Sequence, residues 1–148
     1  MKSFISAFIF LLLALPVSAQ EISYPEEKRA AFELVIEGIE EAKGEIRIAV
    51  FDSEEAYKRK EEPLHAVVLP VKGTTLTWDE EELPYGNYAI AVYHDKNING
   101  ELDTNFLRIP KEAYGFSNNA RGRFGPASWG DAHFEIASEI YSMTIQIR

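Results

Sequence analysis

The sequence of 148 residues contains no cysteine, so no disulfide bond can support the fold in any compartment. It also lacks the G-x-S-x-G elbow, the H-E-x-x-H helix and a glycine-rich phosphate loop, three motifs that mark common catalytic sites. Its three histidines, His65, His94 and His133, are too scattered to indicate a zinc site. These absences together predict a protein that is not an enzyme.

Positive charge is scarce as well. The chain carries 15 Lys and Arg residues against 24 Asp and Glu residues, which gives a net charge of −9. Because nucleic acids and anionic membranes repel a negatively charged protein, the composition argues against both as partners. The same charge is typical of a soluble secreted domain.

The first 19 residues have the pattern of a secretory signal peptide. Lys2 precedes an apolar run over residues 4–15, and the small residues at 17–19 form a cleavage-like site. The run is shorter than the roughly 20 apolar residues that span a bilayer. We therefore predict cleavage after Ala19 and a soluble periplasmic or extracellular chain with no transmembrane segment. Loss of Lys2 would change the net charge to −10.

Alternation of apolar and polar residues with a period of two organises most of the remaining chain, and this pattern indicates half-buried strands. Such segments lie at 32–36, 46–50, 64–71, 76–78, 88–92, 133–136 and 143–147. No crossover helices separate them, so we predict an all-β fold, a single antiparallel Greek-key β-sandwich of about seven strands. A small closed barrel is the alternative. The predicted domain covers residues 32–148 and follows an N-terminal extension over residues 20–31.

Residues 95–131 have no convincing strand, and the segment is far longer than an ordinary connection. It contains aromatic and aliphatic residues that could form a small core of its own, together with glycines and prolines suited to tight turns. We therefore predict one long ordered loop rather than a disordered segment.

The start of this loop, DKNINGELD over residues 95–103, has the spacing of a calcium-binding loop. Oxygen-bearing side chains stand at its first, third, fifth and ninth places, and Gly100 stands at the sixth. The candidate metal ligands are the side chains of Asp95, Asn97, Asn99 and Asp103 and the backbone carbonyl of Glu101. Phe106 occupies the twelfth place, where an EF-hand has a bidentate Glu, so any affinity should be modest, about 0.1–1 mM. The alternative is an ordinary turn held by Asx hydrogen bonds.

The second half of the loop is locally basic. Between residues 107 and 125 it has Arg108, Lys111, Arg121 and Arg123 against Glu112 alone. Arg121 and Arg123 could bind a carboxylate or another anion through bidentate hydrogen bonds. The alternative interpretation is that these arginines pair with nearby acidic residues of the same chain and hold the loop in place.

The same region mixes aromatic rings with amide side chains, a combination suited to a sugar or a peptide. The candidate ligand-binding residues are Tyr114, Phe116, Asn118 and Asn119, besides the two arginines. The alternative is that the rings only pack the loop. Solvent exposure of two or more rings would support ligand contact, whereas burial of all of them would argue against it.

The stretches GEIRIAVFDSEEAY, LPYGNYAIAVYHDKNINGELDTNF and MTIQIR make the chain similar to a secreted bacterial family, the domain of unknown function 2141. The resemblance covers roughly residues 32–148. It implies a prealbumin-like or carboxypeptidase-regulatory-like β-sandwich and export from the cytoplasm. It also implies that the H-D-x-N-x-N-G-x-x-D stretch belongs to the family pattern, but it implies no activity.

The sequence thus predicts a secreted β-sandwich module, stabilised by calcium, that serves ligand recognition or assembly at the bacterial cell envelope. Its partner would be an envelope component or a small ligand. One alternative is a hydrolase with a site around His94, Asp103, Arg121 and Arg123. Another is a purely structural envelope protein that assembles by strand-edge pairing.

Overall fold

A computed structural model describes residues 26–148, so the predicted signal peptide over residues 1–19 lies outside the described part. The described elements, in chain order, are β1 Arg29–Glu37, β2 Glu45–Phe51, α1 Glu54–Arg59, β3 His65–Pro70, β4 Thr75–Pro84, β5 Gly86–Asp95, β6 Tyr114–Phe116, the 3-10 turn Ser117–Asn119, α2 Trp129–Ala132, β7 Phe134–Ile136 and β8 Ile140–Gln146. The first strand begins three residues before the predicted start of the domain.

The strands form two sheets, which confirms the predicted all-β sandwich. The smaller sheet has the order β4-β1-β8, and the larger has the order β3-β2-β5-β6, with β7 paired to the first residues of β5. The long segment between β5 and β7, residues 96–133, is called the excursion below. It was predicted to contain no strand, but Tyr114–Phe116 pair with Ala91–Tyr93. A strand of three residues is too short for an alternating pattern to reveal it.

One pair of strands departs from the predicted antiparallel arrangement. Strand β8 lies parallel to β1, with Ala31 opposite Ile140 and Glu37 opposite Gln146. Parallel neighbours cannot be joined by a tight hairpin. Here the two strands are far apart in sequence, so the constraint is met by the chain between them.

The main core lies between the two sheets and is built by the alternating positions that the sequence indicates. Phe32 of β1 lies at its centre, with ring centroids 6.0 Å from Phe134, 6.1 Å from Tyr141 and 6.0 Å from Trp78. Fully buried neighbours include Leu34, Ile36, Ile46, Val50, Leu83, Ile90 and Ile145. Aromatic side chains of this size dominate the burial of apolar surface.

A second core lies on the outer face of the larger sheet, beneath α1 and the excursion. It contains Phe51, Ala56, Tyr57, Ala89, Phe116, Ala127 and Ala132. The Tyr57 hydroxyl donates to the Ala127 carbonyl at 2.9 Å, which ties the helix to the excursion. Because this part of the sheet is covered on both faces, the middle of β5, residues 88–93, is continuously apolar or aromatic instead of alternating strictly.

The short helix α1 has both of its ends defined by the sequence. The Ser53 hydroxyl caps it by accepting from the Ala56 amide at 3.4 Å, and Glu54 and Glu55 occupy the first turn. Lys60 then ends the helix in the left-handed conformation, with φ of 57°. This backbone conformation places Lys60 where the helix meets the outer face of the larger sheet.

Candidate functional site

Three alanines stand side by side across the outer face of the larger sheet. Ala66 of β3 is opposite Ala49 of β2, and Ala49 is opposite Ala91 of β5. Phe116 of β6 continues the row beyond Ala91. Side chains that face each other across adjacent strands lie about 5 Å apart, so three methyl groups in a row leave a depression in the sheet. This depression is called the alanine groove below.

Larger side chains form the walls of the alanine groove. On one side, Val68, Arg47, Tyr93 and Tyr114 form the next outward-facing row across the same four strands. On the other side are Phe51 of β2 and Lys60 at the end of α1, and the excursion contributes Leu102 and Pro126. The enclosed volume is about 430 Å³, within the range of small-molecule sites.

Lys60 brings a positive charge into this apolar lining. Its Nζ atom lies 3.1 Å from the centroid of the Tyr57 ring and within 5.6 Å of the centroids of Phe51 and Phe116. Burial among these rings lowers the pKa of Lys60 to about 8.

The neighbouring cations behave differently from Lys60. Lys58 and Arg59 pair with glutamates of the helix and the following turn, whereas no ion pair involves Lys60 in residues 26–148. The Lys60 ammonium therefore remains available to an anion from outside the chain.

The predicted metal ligands converge in one loop at the end of β5, but hydrogen bonds already engage their oxygens. Asp95 is buried, and its carboxylate accepts from Arg47 Nε at 2.7 Å, Gly100 N at 2.8 Å and Asn99 N at 3.1 Å. Burial alone would raise the pKa of Asp95, but the hydrogen bonds from Gly100 and Arg47 outweigh it, and the pKa falls below its ordinary value. Asp95 is thus an ionised carboxylate with a guanidinium partner.

The other predicted ligands hold one another. The Asn97 and Asn99 amide groups donate to the Asp103 carboxylate at 2.8 and 3.1 Å. Their own oxygens accept from backbone amides, Asn97 from Asn99 N and Asn99 from Glu101 N. These are Asx turns. In residues 26–148, no group of three or more His, Asp or Glu side chains is placed to hold a metal ion.

Glu112 is a key residue of this loop that the sequence did not reveal. It is buried, and its two carboxylate oxygens accept from Lys96 N at 2.8 Å and Asp103 N at 2.9 Å. One side chain thereby joins the beginning of the loop to its end. The sequence pattern gave no sign of this role, because burial of a glutamate is rare and depends on the fold.

Two of the predicted ligand-binding residues, Arg121 and Asn119, attach the excursion to β8, and a third, Asn118, joins two parts of the excursion to each other. Arg121 donates to the carbonyls of Tyr114 and Gln146 at 3.2 and 3.1 Å. The Asn119 amide oxygen accepts from Gln146 N at 2.8 Å, and Asn118 donates to the carbonyls of Asp131 and His133. The arginines therefore do not form the expected ion pairs with acidic residues in the described part of the chain; Arg121 uses backbone carbonyls instead.

The aromatic residues of the excursion have different environments. Phe116 is buried and Tyr114 is half-buried, and both line the alanine groove. Trp129 is half-buried and stacks on His133, whereas Phe124 is fully exposed. Tyr114 and Phe116 therefore share one groove, whereas Trp129 packs within the excursion and Phe124 is in solvent.

A second cleft of about 670 Å³ adjoins the alanine groove and is called the tip cleft. It lies between residues 104–110 and 122–126, and it shares Leu102, Tyr114, Phe116 and Pro126 with the groove. Arg123, one of the predicted ligand-binding residues, lines this cleft.

The residues of the alternative hydrolase site are not joined to one another. The His94 ring is buried, with Nε2 2.7 Å from the Lys43 carbonyl oxygen and Nδ1 unpartnered in the described structure. No hydrogen bond or ion pair links His94 with Asp103 within residues 26–148, since Asp103 binds the two asparagines. His94 therefore has a core position at the end of a strand.

The architecture defines a class of protein, a two-sheet β-sandwich whose larger sheet is partly covered on its outer face by an excursion of its own chain. The chain belongs to the family described as "Uncharacterized protein conserved in bacteria (DUF2141)", whose model matches residues 34–144. No curated protein and no solved structure matches the chain. Within residues 26–148, no helix has the length and apolarity needed to cross a membrane.

Proposed function

We propose that this chain is an exported ligand-recognition module that binds an apolar molecule with an anionic end in the alanine groove. The observation that carries the proposal is the row of Ala66, Ala49 and Ala91, which leaves an apolar depression on a sheet whose neighbouring positions are filled by larger side chains. We place the module at the bacterial cell envelope, in keeping with the signal-like pattern of residues 1–19.

The chemistry of the lining specifies the ligand class. The floor and most of the walls are aliphatic or aromatic, so the body of the ligand gains most from leaving water. The Arg47 guanidinium is committed to Asp95 and Glu45, whereas Lys60 has no such partner in the described chain. A carboxylate or similar group would therefore be directed toward Lys60, whose ammonium lies against the aromatic rings at the edge of the groove.

The test is a binding measurement on residues 20–148, which contain every described strand and both cores. Decanoate should displace a bound fluorescent fatty acid with saturation, and decanol, which has no charge, should bind about tenfold more weakly. Ala91→Leu should remove the binding, because the longer side chain fills the middle of the groove. The matched control is Ala31→Leu on the exposed face of the other sheet.

Circular dichroism and thermal melting establish that both variants are folded. Equal binding by the Ala91→Leu and Ala31→Leu proteins, or no saturable binding by the unmodified protein, would refute the proposal. Retained binding of decanol with the same affinity as decanoate would refute the assigned role of Lys60.

A structural calcium ion in the loop over residues 95–103 is our second proposal. The residues that would hold it are Asp95, Asn97, Asn99, Asp103 and the Glu101 carbonyl, which the fold brings into one turn. The Arg47 guanidinium on Asp95 is the competing partner, so we expect a dissociation constant in the upper part of the extracellular range, roughly 1 mM.

This competition supplies the test of the calcium proposal. Arg47→Met should tighten calcium binding in titration calorimetry, since it leaves Asp95 without a cation, and Asp95→Ala should abolish the binding. If neither variant changes the heat signal, or if no binding is detected up to about 10 mM calcium, residues 95–103 form an Asx turn alone.

A further inference from the structure

The excursion exposes an unusual amount of apolar surface around the tip cleft. The exposed fractions are 103% for Phe124, 91% for Phe106, 63% for Leu107 and 54% for Ile109. Leu107 and Ile109 line the tip cleft on one side and Phe124 lines it on the other, and Phe106 directly precedes Leu107. Contiguous exposed apolar surface of this kind marks an interaction site in a monomeric protein.

The exposure on one side is imposed by a built turn. The Asn105 side-chain oxygen accepts from Leu107 N at 2.9 Å and from Ile109 N at 3.0 Å. The Arg108 amide donates to the Asn105 backbone carbonyl at 2.9 Å and closes the same turn. At its base, Thr104 and Pro110 form an isolated antiparallel β-bridge. Phe106 and Leu107 are therefore presented outward by hydrogen bonds that a collapsed loop would have to break.

The same tip carries positive charge without acidic partners. Arg108, Lys111 and Arg123 are exposed, and the ion pairs found in residues 26–148 all use other cations. The single acidic residue between positions 104 and 126 is Glu112, which is buried and engaged by two backbone amides. A protein of net charge −9 thus has a basic surface where its largest apolar side chains are exposed.

We propose that the tip, residues 105–111 and 122–125, docks on the surface of an anionic lipid bilayer. Phe106, Leu107 and Phe124 would enter the boundary between headgroups and acyl chains, and the three cations would contact the lipid phosphates. The protruding phenylalanines need no shaped partner pocket in a bilayer, so a lipid surface fits them better than a folded protein does. The net charge of −9 disfavours an anionic membrane for the surface on average, and the tip is the local exception.

Docking of the tip on lipid does not require a ligand in the alanine groove. The two sites nevertheless adjoin, because Leu102, Tyr114, Phe116 and Pro126 line both the groove and the tip cleft. A tip in contact with lipid would place these four shared residues, and with them one end of the alanine groove, close to the bilayer.

The test is co-sedimentation of residues 20–148 with vesicles of phosphatidylcholine, prepared with and without phosphatidylglycerol. Removal of residues 1–19 matters, since an apolar N-terminal run would bind vesicles by itself. Binding should require phosphatidylglycerol and weaken at about 0.5 M salt. Replacing both rings, Phe106→Ser with Phe124→Ser, should reduce the partition coefficient at least about tenfold, and Arg108→Glu with Arg123→Glu should abolish it.

Matched controls come from elsewhere on the surface. Ile140→Ser removes an apolar side chain that is 77% exposed on β8, and Lys72→Glu reverses an exposed charge in the turn after β3. Both controls should bind vesicles as the unmodified protein does. The proposal is overturned if the controls lose as much binding as the tip variants, or if no vesicle binding occurs. Sedimentation without vesicles shows whether the protein associates with itself. Self-association that the tip substitutions remove would overturn the proposal and identify a second copy of the chain as the partner of the tip.

Discussion

Two opposing effects act on the charge of Lys60. Three aromatic faces attract its ammonium group, while removal from water disfavours it. The net result is a pKa lowered to about 8, so the Lys60 amine is neutral in a substantial fraction of the molecules in mildly alkaline solution. An anionic ligand in the alanine groove would favour the charged form, and its affinity should fall as the pH rises above about 8.

The same residue predicts an unusual alkaline stability profile. Between pH 8 and about 10, the unfolded chain keeps a proton on Lys60 that the folded chain releases, so the free energy of unfolding should increase with pH. Above about pH 10 the trend should reverse, because burial raises the pKa of Tyr57 to about 12 and the unfolded chain loses that proton first.

Urea unfolding of the wild-type and Lys60→Met proteins at intervals between pH 7 and 11 measures this profile. The increase between pH 8 and 10 should be absent in Lys60→Met, whereas the decline above pH 10 should persist. An increase of the same size in both proteins would assign it to another group.

At the scale of secondary-structure elements, β6 depends on a close approach to β8. A Cβ atom on Gly115 would lie 2.7 Å from Ile145 Cγ2 and 3.2 Å from the Gln146 carbonyl oxygen. Such contacts cannot be relieved without moving one strand, since Ile145 is buried in the main core. The position of the excursion against the smaller sheet thus requires glycine at this residue.

We expect Gly115→Ala to reduce the free energy of unfolding by about 1–3 kcal/mol, the usual cost of overpacking. The control is Gly73→Ala, where the nearest atom to the added Cβ is 3.9 Å away, and its effect should stay within about 0.5 kcal/mol. Denaturant titration at neutral pH compares the two variants. Similar effects of the two substitutions would contradict the tight contact between β6 and β8.

The sequence predicts some of these elements well and others poorly, for a definable reason. The alternation that marks β1, β2 and β5 follows from burial of one face, a property of each strand alone. The alanine groove depends on the register of four strands, which alternation within single strands does not specify. One sequence signal does indicate that the outer face of the larger sheet is covered. Ala49, Ala89 and Ala91 occupy positions where a strand facing solvent would carry polar residues.

At the scale of the whole molecule, charge and burial separate the candidate sites. Arg47, Asp95 and Glu45 form an ion-pair group beside the alanine groove, while the exposed cations of the tip have no acidic partner in the described chain. In residues 95–103 the amides of Asn97 and Asn99 hold the Asp103 carboxylate locally, whereas the guanidinium partner of Asp95 comes from another strand. Sequence spacing could not place an arginine from β2 on Asp95, because that contact depends on the pairing of β2 with β5.

Acid should destabilise the fold through carboxylates with lowered pKa values. The pKa of Glu41 is lowered to about 2 by hydrogen bonds from Lys43 and Lys96, and that of Asp95 is also lowered. A carboxyl whose pKa is lower in the folded chain than in the unfolded chain stabilises the fold fully at pH values above the unfolded pKa of roughly 4. This stabilisation is lost as the pH falls through the pKa of the folded chain.

The free energy of unfolding, measured in chelator, should therefore fall between about pH 4 and pH 2. Asp95→Asn and Glu41→Gln should each make this decline less steep, and the double variant should flatten it further. An unchanged slope in the double variant would place the acid sensitivity in other carboxylates. Chelator keeps bound calcium from adding its own pH dependence.

The pairing of β1 with β8 has a consequence for how the molecule reaches its native state. Ala31 has Ile140 as its partner, so the smaller sheet joins segments more than a hundred positions apart along the chain. Contacts of such separation slow folding, because the intervening chain loses its freedom before the contact forms. During synthesis, β1 emerges long before β8 and has one edge without its partner throughout that interval. That edge of β1 is therefore open to pairing with other strands until nearly all of the domain has left the ribosome.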